Sequence, residues 1–346
     1  MTPTRFGIIG YGKMGHIRRE VIEKRDDAVV VATCDPYAGG DDFPHTSDWR
    51  ELLARDDLDA VVIASTNELI PPAIIEALVK GLHVFSEKPP GRTLEDIINI
   101  RRAEAAAPGK ILKFGFNHRY HYSVMEAKKI AESGELGGLI SMRGTYGKAG
   151  GADYGANWRN NFDISGGGIL IDQGVHMIDL MHLFAGPFEE VKGMMDDRFW
   201  TGLGVEDNAM ALMRTNSGVM AMVHSSATQW RQTFRLELGF EKGYLWLDGI
   251  LSNSMGYAPE MLIVGRLQRD ENGDPIPNPK EDVRKFDTDD SWALEIAEFM
   301  DAVQDKAPIH TGTSQHAFDA MNAVQRIYAA DPTFTHKTQA ELKGDA

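Results

Sequence analysis

An acid, an imidazole and a second acid recur at helical spacing in Gly166-Gly167-Gly168-Ile169-Leu170-Ile171-Asp172-Gln173-Gly174-Val175-His176-Met177-Ile178-Asp179. On a regular helix Asp172, His176 and Asp179 stand at i, i+4 and i+7, within about 60° of one another. The apolar residues around them (Ile169, Leu170, Ile171, Val175, Ile178, Leu180) mark the rest of this helix as buried. A buried helix that keeps three polar groups in one stripe is costly unless they are paired or used. Histidine is the side chain best suited to proton transfer near neutral pH. The stripe therefore reads as the proton-handling part of an active site; a stripe facing water is the alternative.

A second cluster stands at the start of the chain. Phe6-Gly7-Ile8-Ile9-Gly10 fits a buried strand and runs into Gly10-Tyr11-Gly12-Lys13-Met14-Gly15, a G-x-G-x-x-G. The first glycine permits a tight turn, the second lets backbone approach a pyrophosphate, and the third lets helix pack on strand. A helix over about Lys13–Lys24 would point its N–H groups, those of Lys13 and Met14 among them, at the phosphates. Val29 to Cys34 makes a second strand ending at Asp35, 20 residues past Gly15. A carboxylate there accepts hydrogen bonds from the adenosine ribose and repels a 2′-phosphate, so NAD is expected rather than NADP.

The elements that must carry these residues alternate. Ser47 or Asp48 can cap a short helix through Ala54. Ala60 to Ala64 is a strand, with Ser65, Thr66 and Asn67 at its carboxyl end, where doubly wound sheets hold ligands. Pro71-Pro72 opens a helix that stops at Gly81; His83 to Ser86 is a strand, Thr93 to Ala107 a helix, and Ile111 to Phe116 a strand. This spacing predicts a parallel sheet with right-handed crossovers. Glu87-Lys88-Pro89 directly follows the strand at His83. A lysine there projects over the nicotinamide end of a cofactor, and Pro89, Pro90 and Gly91 stiffen its loop. One of the Lys88-Pro89 and Pro89-Pro90 bonds is expected to be cis.

The glycine fingerprint, Glu87-Lys88-Pro89 and the Gly-Gly-Gly…Asp172-x-x-x-His176 helix, in this order, resemble the Gfo/Idh/MocA family of sugar and polyol oxidoreductases. The resemblance implies an N-terminal Rossmann domain (residues 1–120), doubly wound and parallel, that binds NAD through Gly10, Gly12, Lys13, Met14, Gly15, Asp35, Ser65, Thr66, Asn67, Glu87 and Lys88. It implies a C-terminal domain (residues 121–346) with an open-faced, mainly antiparallel sheet and helices on one side. It also implies that Lys88, Asp172 and His176 lie around the nicotinamide and the reacting carbinol carbon. In that setting His176 is the candidate base, Lys88 stabilises the developing alkoxide, and Asp172 binds a neighbouring hydroxyl; the roles of Lys88 and His176 can be exchanged.

Beyond the first domain, Asn117 and Arg119 are candidates for substrate contact or for a hinge. Tyr122 to Ser133 reads as a helix and Leu139 to Tyr146 as a strand. The aromatic and amide-rich stretch Asp153 to Phe162, with Trp158 and Arg159, suits the C–H faces and hydroxyls of a sugar, or an oligomer contact. Strand patterns at Asn208–Arg214, Val219–Ser226, Phe234–Phe240 and Tyr244–Asp248 follow. Several methionines with Trp200, Trp230 and Trp246 give this sheet a face suited to a homodimer or homotetramer interface. Arg119, Arg143, Arg159, Arg231 and Arg235 include a possible diphosphate clamp or are surface charge. Ser291–Asp305 and Ser314–Ala330 are closing helices, and the chain after Asp331 reads as a loosely held tail.

The chain has 346 residues and a net charge of −15, which disfavours nucleic acid and anionic membranes as partners. It has no apolar run of membrane-spanning length and no room for a signal peptide before the first strand, and a single cysteine, Cys34, fits the cytoplasm. A catalytic zinc on Asp172, His176, Asp179 and His182 is the rival reading of the stripe. His182 points about 80° to 120° away from the others, so no metal is expected. Two further readings stay open: a glycosidase that uses NAD only transiently, and a non-catalytic NAD-binding sensor.

Overall fold

The computed structural model describes residues 2–37, 44–252 and 254–344. The chain forms two compact units. The first comprises Met1–Asn117, Asp163–Gly166 and Trp292–Met321; the second comprises His118–Phe162, Gly167–Ser291 and Asn322–Ala346.

The first unit is a six-stranded sheet of β1 (Thr4–Ile9), β2 (Ala28–Cys34), β3 (His45–Thr46), β4 (Ala60–Ile63), β5 (His83–Glu87) and β6 (Leu112–Gly115). Its order is β3-β2-β1-β4-β5-β6, and every neighbouring pair is parallel. That is the doubly wound arrangement, with the order reversing between β1 and β4, where such sheets bind ligands. Asp48 caps as read, accepting from Arg50 N–H at 2.9 Å at the start of the helix Trp49–Leu53; Thr93 is the N-cap of Leu94–Ala105 and forms a reciprocal capping box with Asp96. The sequence division at residue 120 runs each domain continuously, whereas the first unit is completed from far along the chain. The helix Ser291–Val303 inserts Ile296, Phe299 and Met300 among Phe6, Ile8, Val30, Val62 and Phe85. Phe299 packs edge-on to Phe85 with ring centres 5.7 Å apart.

The second unit holds an eight-stranded sheet of β7 (Leu139–Ala149), β8 (Phe188–Asp196), β9 (Asn208–Thr215), β10 (Met220–Ser226), β11 (Thr228–Phe240), β12 (Gly243–Asp248), β13 (Glu260–Arg266) and a last strand at Glu281–Phe286. The last strand pairs with β13, and the sheet continues β12-β11-β7-β10-β9-β8. It is antiparallel except where β10 runs parallel to β7. Buried and exposed residues alternate along β9 and β10, as a sheet covered on one face requires. The helix Val175–Ala185 lies against the covered face: a Cβ on Gly144 of β7 would crowd Met177 and Met181. Met194, Met210, Leu212, Met220 and Met222 are exposed on the other face.

The chain after Asp331 is not a loose tail. Lys337 N–H bonds the Gly204 carbonyl at 2.9 Å, His336 reaches Glu206 at 2.7 Å and stacks on Phe162, and a helix follows at Gln339–Gly344. The polar composition of this stretch concealed its two anchors, a histidine and a backbone amide.

Candidate active site

In the first unit the candidate residues stand at the carboxyl ends of the parallel strands. Gly10 leaves β1 with φ +86°, and a Cβ there would run into the Ala64 backbone. A Cβ on Gly15 would strike the Gly10 carbonyl oxygen, so this glycine is what allows the helix Lys13–Glu23 to pack onto its strand. At Gly12 the added atom meets nothing within 4 Å. Gly12 is also the N-cap of that helix, and no side chain among the described residues caps it. The first-turn N–H groups of Lys13, Met14 and Gly15 therefore face an uncrowded approach, which is what a pyrophosphate needs. Asp35 is held beside this turn. Its Oδ2 accepts from Tyr11 N–H and its Oδ1 from Tyr37 N–H, both at 2.8 Å. These residues fit a bound dinucleotide: glycines where backbone must be approached, and an oriented carboxylate for a ribose diol.

Ser65 and Thr66 are half-buried after β4, and Thr66 Oγ1 donates to Glu68 at 2.9 Å. Asn67 is buried, and its amide donates to the Ser165 carbonyl at 2.8 Å. Glu87 is buried, and its carboxylate accepts from Arg18 Nε at 2.7 Å. The spacing gave no sign of a buried arginine beneath it. Lys88 is half-buried, and its bond to Pro89 is cis, as expected for one bond of this loop. Gly91 adopts φ +147°, where a side chain would crowd Asp96 and Pro71. Asn117 opens a single 3-10 turn, Asn117–Tyr120.

In the second unit the polar stripe departs from a regular helix. Leu170–Gly174 forms a π turn, with Val175 N–H reaching back to the Leu170 carbonyl, before the α-helix Val175–Ala185 begins. The wider turn breaks the i, i+4, i+7 register, and its three polar residues have three different partners. Asp172 accepts from Lys148 Nζ at 2.9 Å and Arg159 Nε at 3.2 Å. Arg159 lies over the Trp158 ring, 4.4 Å from its centre. His176 stacks on His118, with ring centres 3.9 Å apart and planes 13° from parallel. His118 in turn bonds the Tyr146 hydroxyl at 3.1 Å. Burial pushes the Tyr146 phenol well up, so it stays protonated.

Asp179 is clasped bidentately by Arg119, at 2.7 and 2.6 Å, with both side chains buried. Arg119 and Asp179 therefore neutralise each other as a buried pair. Among the described residues no three His, Cys, Asp or Glu side chains gather as a metal site would need; His182 lies against Phe188. Arg143 and Arg235 both pair with Glu237 on the sheet, and Arg231 is exposed, so these are surface charges and not a clamp.

Lys148 was missed because β7 extends three residues beyond the end read at Tyr146. Glu206 was also missed. Its buried carboxylate accepts from the N–H groups of Gly168 and Leu170, at 2.8 and 3.0 Å, and from the Tyr328 hydroxyl at 3.1 Å. It thus caps the start of the site helix. The glycines before that helix are required by crowding: side chains at Gly167 and Gly168 would strike the Tyr328 hydroxyl and the Glu206 carbonyl. In the aromatic loop, Tyr154 packs on Trp200 and Asn160 donates to the Tyr154 carbonyl. Trp158 and Arg159 are left half-exposed beside Asp172.

A doubly wound parallel sheet with a glycine turn at its switch point, and an open-faced sheet with Asp172 on a π turn and His176 on the helix after it, are the two units of a nucleotide-binding oxidoreductase architecture. The chain belongs to the GFO/IDH/MocA family: residues 4–116 match its oxidoreductase-family, NAD-binding Rossmann-fold model, and residues 124–246 match its C-terminal domain model. The chain is 35% identical over 153 residues to a levoglucosan dehydrogenase of Pseudarthrobacter phenanthrenivorans, a match spanning 43% of this chain and 39% of that enzyme. It is 26% identical over 259 residues to an inositol 2-dehydrogenase of Salmonella paratyphi B, spanning 71% of this chain and 74% of the other. The solved structure of levoglucosan dehydrogenase in complex with NADH and L-sorbose has a TM-score of 0.81 at 21% identity, covering 95% of this chain and 97% of that one. The family, the fold class and the NAD-binding domain expected from the motifs are borne out.

Proposed function

We propose that this protein is an NAD-dependent dehydrogenase acting on a secondary alcohol of a sugar or polyol. The observation that carries this reading is the cradle at Gly12, with Asp35 oriented beside it by two backbone N–H groups. Bound NAD+ supplies the hydride acceptor. Lys88, on its proline-stiffened turn, donates to the reacting oxygen and stabilises its negative charge. His176, with its ring braced against His118, takes the hydroxyl proton. Asp172, fixed by Lys148 and Arg159, accepts from a neighbouring hydroxyl, and Trp158 offers an apolar face to the ring. The related enzymes are dehydrogenases of levoglucosan and of inositol, so ring alcohols are the first substrates to try.

The test is a screen of polyols, aldoses, sugar acids and nucleotide-sugars with NAD+ and NADP+, following reduced cofactor. Net NADH formation supports a dehydrogenase. Release of free sugar from a glycoside without NADH accumulation would establish the transient-oxidation glycosidase instead. Lys88→Met and His176→Asn should each lower kcat by about 100-fold or more, with NADH affinity within about threefold of the wild type.

For the assembly, the exposed face with Met194, Met210, Leu212, Met220 and Met222 supports a homo-oligomer formed through the second-unit sheet. Met210→Glu with Leu212→Glu should reduce the mass measured by light scattering to that of one chain. An unchanged mass excludes this face.

A further inference from the structure

Next to Lys88 in the chain lies a buried ion cluster with no part in the chemistry above. Arg18, on the helix Lys13–Glu23, is fully buried. Its Nε donates to Glu87 at 2.7 Å, and its Nη2 lies 2.6 Å from Glu87 Oε1 and 2.8 Å from Glu295 Oε2. The guanidinium sits 4.4 Å from the centre of the Phe85 ring. Glu87 ends β5 and precedes Lys88, while Glu295 comes from the helix Ser291–Val303. One cation therefore joins the helix behind the glycine turn, the strand that leads to Lys88, and a helix from more than 200 residues further on. Gly115 completes the enclosure: a Cβ there would press on Arg18 and Glu87 at 3.1 Å each.

Two carboxylates share this guanidinium out of water, and they cannot both ionise cheaply. Glu295 Oε1 has no hydrogen-bond partner among the described residues. Burial pushes the Glu295 carboxyl up to about 7 against the attraction of Arg18 and Lys113, with Glu87 repelling the charged form. Lys113, on β6, is itself bonded to Glu298 at 2.9 Å and to the Thr311 carbonyl. The cluster of Arg18, Glu87 and Glu295 therefore passes between net charge zero and −1 near neutrality.

We propose that Arg18 and Glu295 are positioning residues for the Lys88 turn: they fix Glu87, and through the continuous backbone Lys88, and the proton on Glu295 sets how firmly Glu87 is held. With Glu295 neutral, Arg18 is balanced by Glu87 alone. With Glu295 ionised, two anions compete for one Nη2 and the hold on Glu87 weakens. This rests on the assignment of Lys88 made above.

The experiment measures kcat and the KM for NAD+ between about pH 6 and pH 8 for wild type, Arg18→Lys, Arg18→Met, Glu295→Gln and Lys88→Met. The alcohol is myo-inositol or levoglucosan, whichever the wild type turns over. Glu295→Gln should match wild type within about twofold at the low end, where both groups are uncharged, and exceed its kcat by about threefold at the high end, with the KM for NAD+ unchanged. Taking the ratio of the two enzymes removes any pH dependence that they share. Arg18→Met should lose kcat by about tenfold or more, with Arg18→Lys recovering part of it. A ratio constant with pH, or a folded Arg18→Met with wild-type kcat and NADH affinity, overturns the inference. If Arg18→Met does not fold, the Glu295→Gln ratio decides alone. A Lys88→Met enzyme with wild-type kcat overturns the Lys88 assignment and this inference with it. An inactive Lys88→Met beside wild-type behaviour of the other variants overturns this inference only.

Discussion

Asp172, His176 and Asp179 have the same kind of spacing in the sequence, and their partners separate them. Type and spacing identify candidates, but the partner decides the role, and partners come from distant residues. Arg119 lies 60 residues from Asp179, and Glu206 lies 38 from Gly168. No local pattern connects such pairs. The place of Asp35 beside the glycine turn was legible because it depends on a local interval. Asp35→Asn should raise the KM for NAD+ by about tenfold and narrow the preference over NADP+, read from initial rates with both cofactors.

Glu260 carries a pH consequence of its own. Burial raises its carboxyl, but the bond from His121 at 2.8 Å and those from the N–H groups of Ser123 and Leu251 outweigh this and hold it below the usual glutamate range. Its stabilising contribution is therefore present above the unfolded value, near 4.5, and is lost as pH falls through the lower folded value. Glu260→Gln should lower Tm at neutral pH, and its deficit against wild type should shrink as melts are taken below about pH 4.

Among the elements, the parallel sheet was the most legible part. Most of its strands centre on short apolar runs (Phe6–Ile9, Val29–Ala32, Ala60–Ile63, Val84–Phe85), signals that act over a few residues, whereas the two-residue β3, His45–Thr46, has no such run and was not legible. The π turn was not legible, because whether a helix widens by one residue depends on what its neighbours require. Here Glu206 caps its entrance, and Gly174 packs so closely that a Cβ would strike Ser225 Oγ. Gly168→Ala, which would collide with the Glu206 carbonyl, should destabilise the protein by about 2–4 kcal/mol and lower kcat with it, seen by denaturant titration and by turnover. The segment after Asp331 belongs to the same support. His336 bonds the carboxylate that caps the site helix, so His336→Ala should lower Tm and kcat together, by less than Gly168→Ala does.

At the scale of the whole molecule, the net charge is −15, and no described helix is long and apolar enough to cross a membrane. The two-domain plan was legible from the change between alternating helices and strands and a run of strands. The return of Trp292–Met321 to the first unit was not, since an amphipathic helix does not announce which core it completes. That return bears on synthesis. Phe6 and Phe85 emerge from the ribosome long before Phe299 does, so the nascent nucleotide-binding unit waits with an apolar flank uncovered until nearly all of the chain has been made. Ribosome-bound chains stalled at residue 200 should therefore be cut readily by protease within residues 1–117, and chains stalled beyond residue 340 should resist.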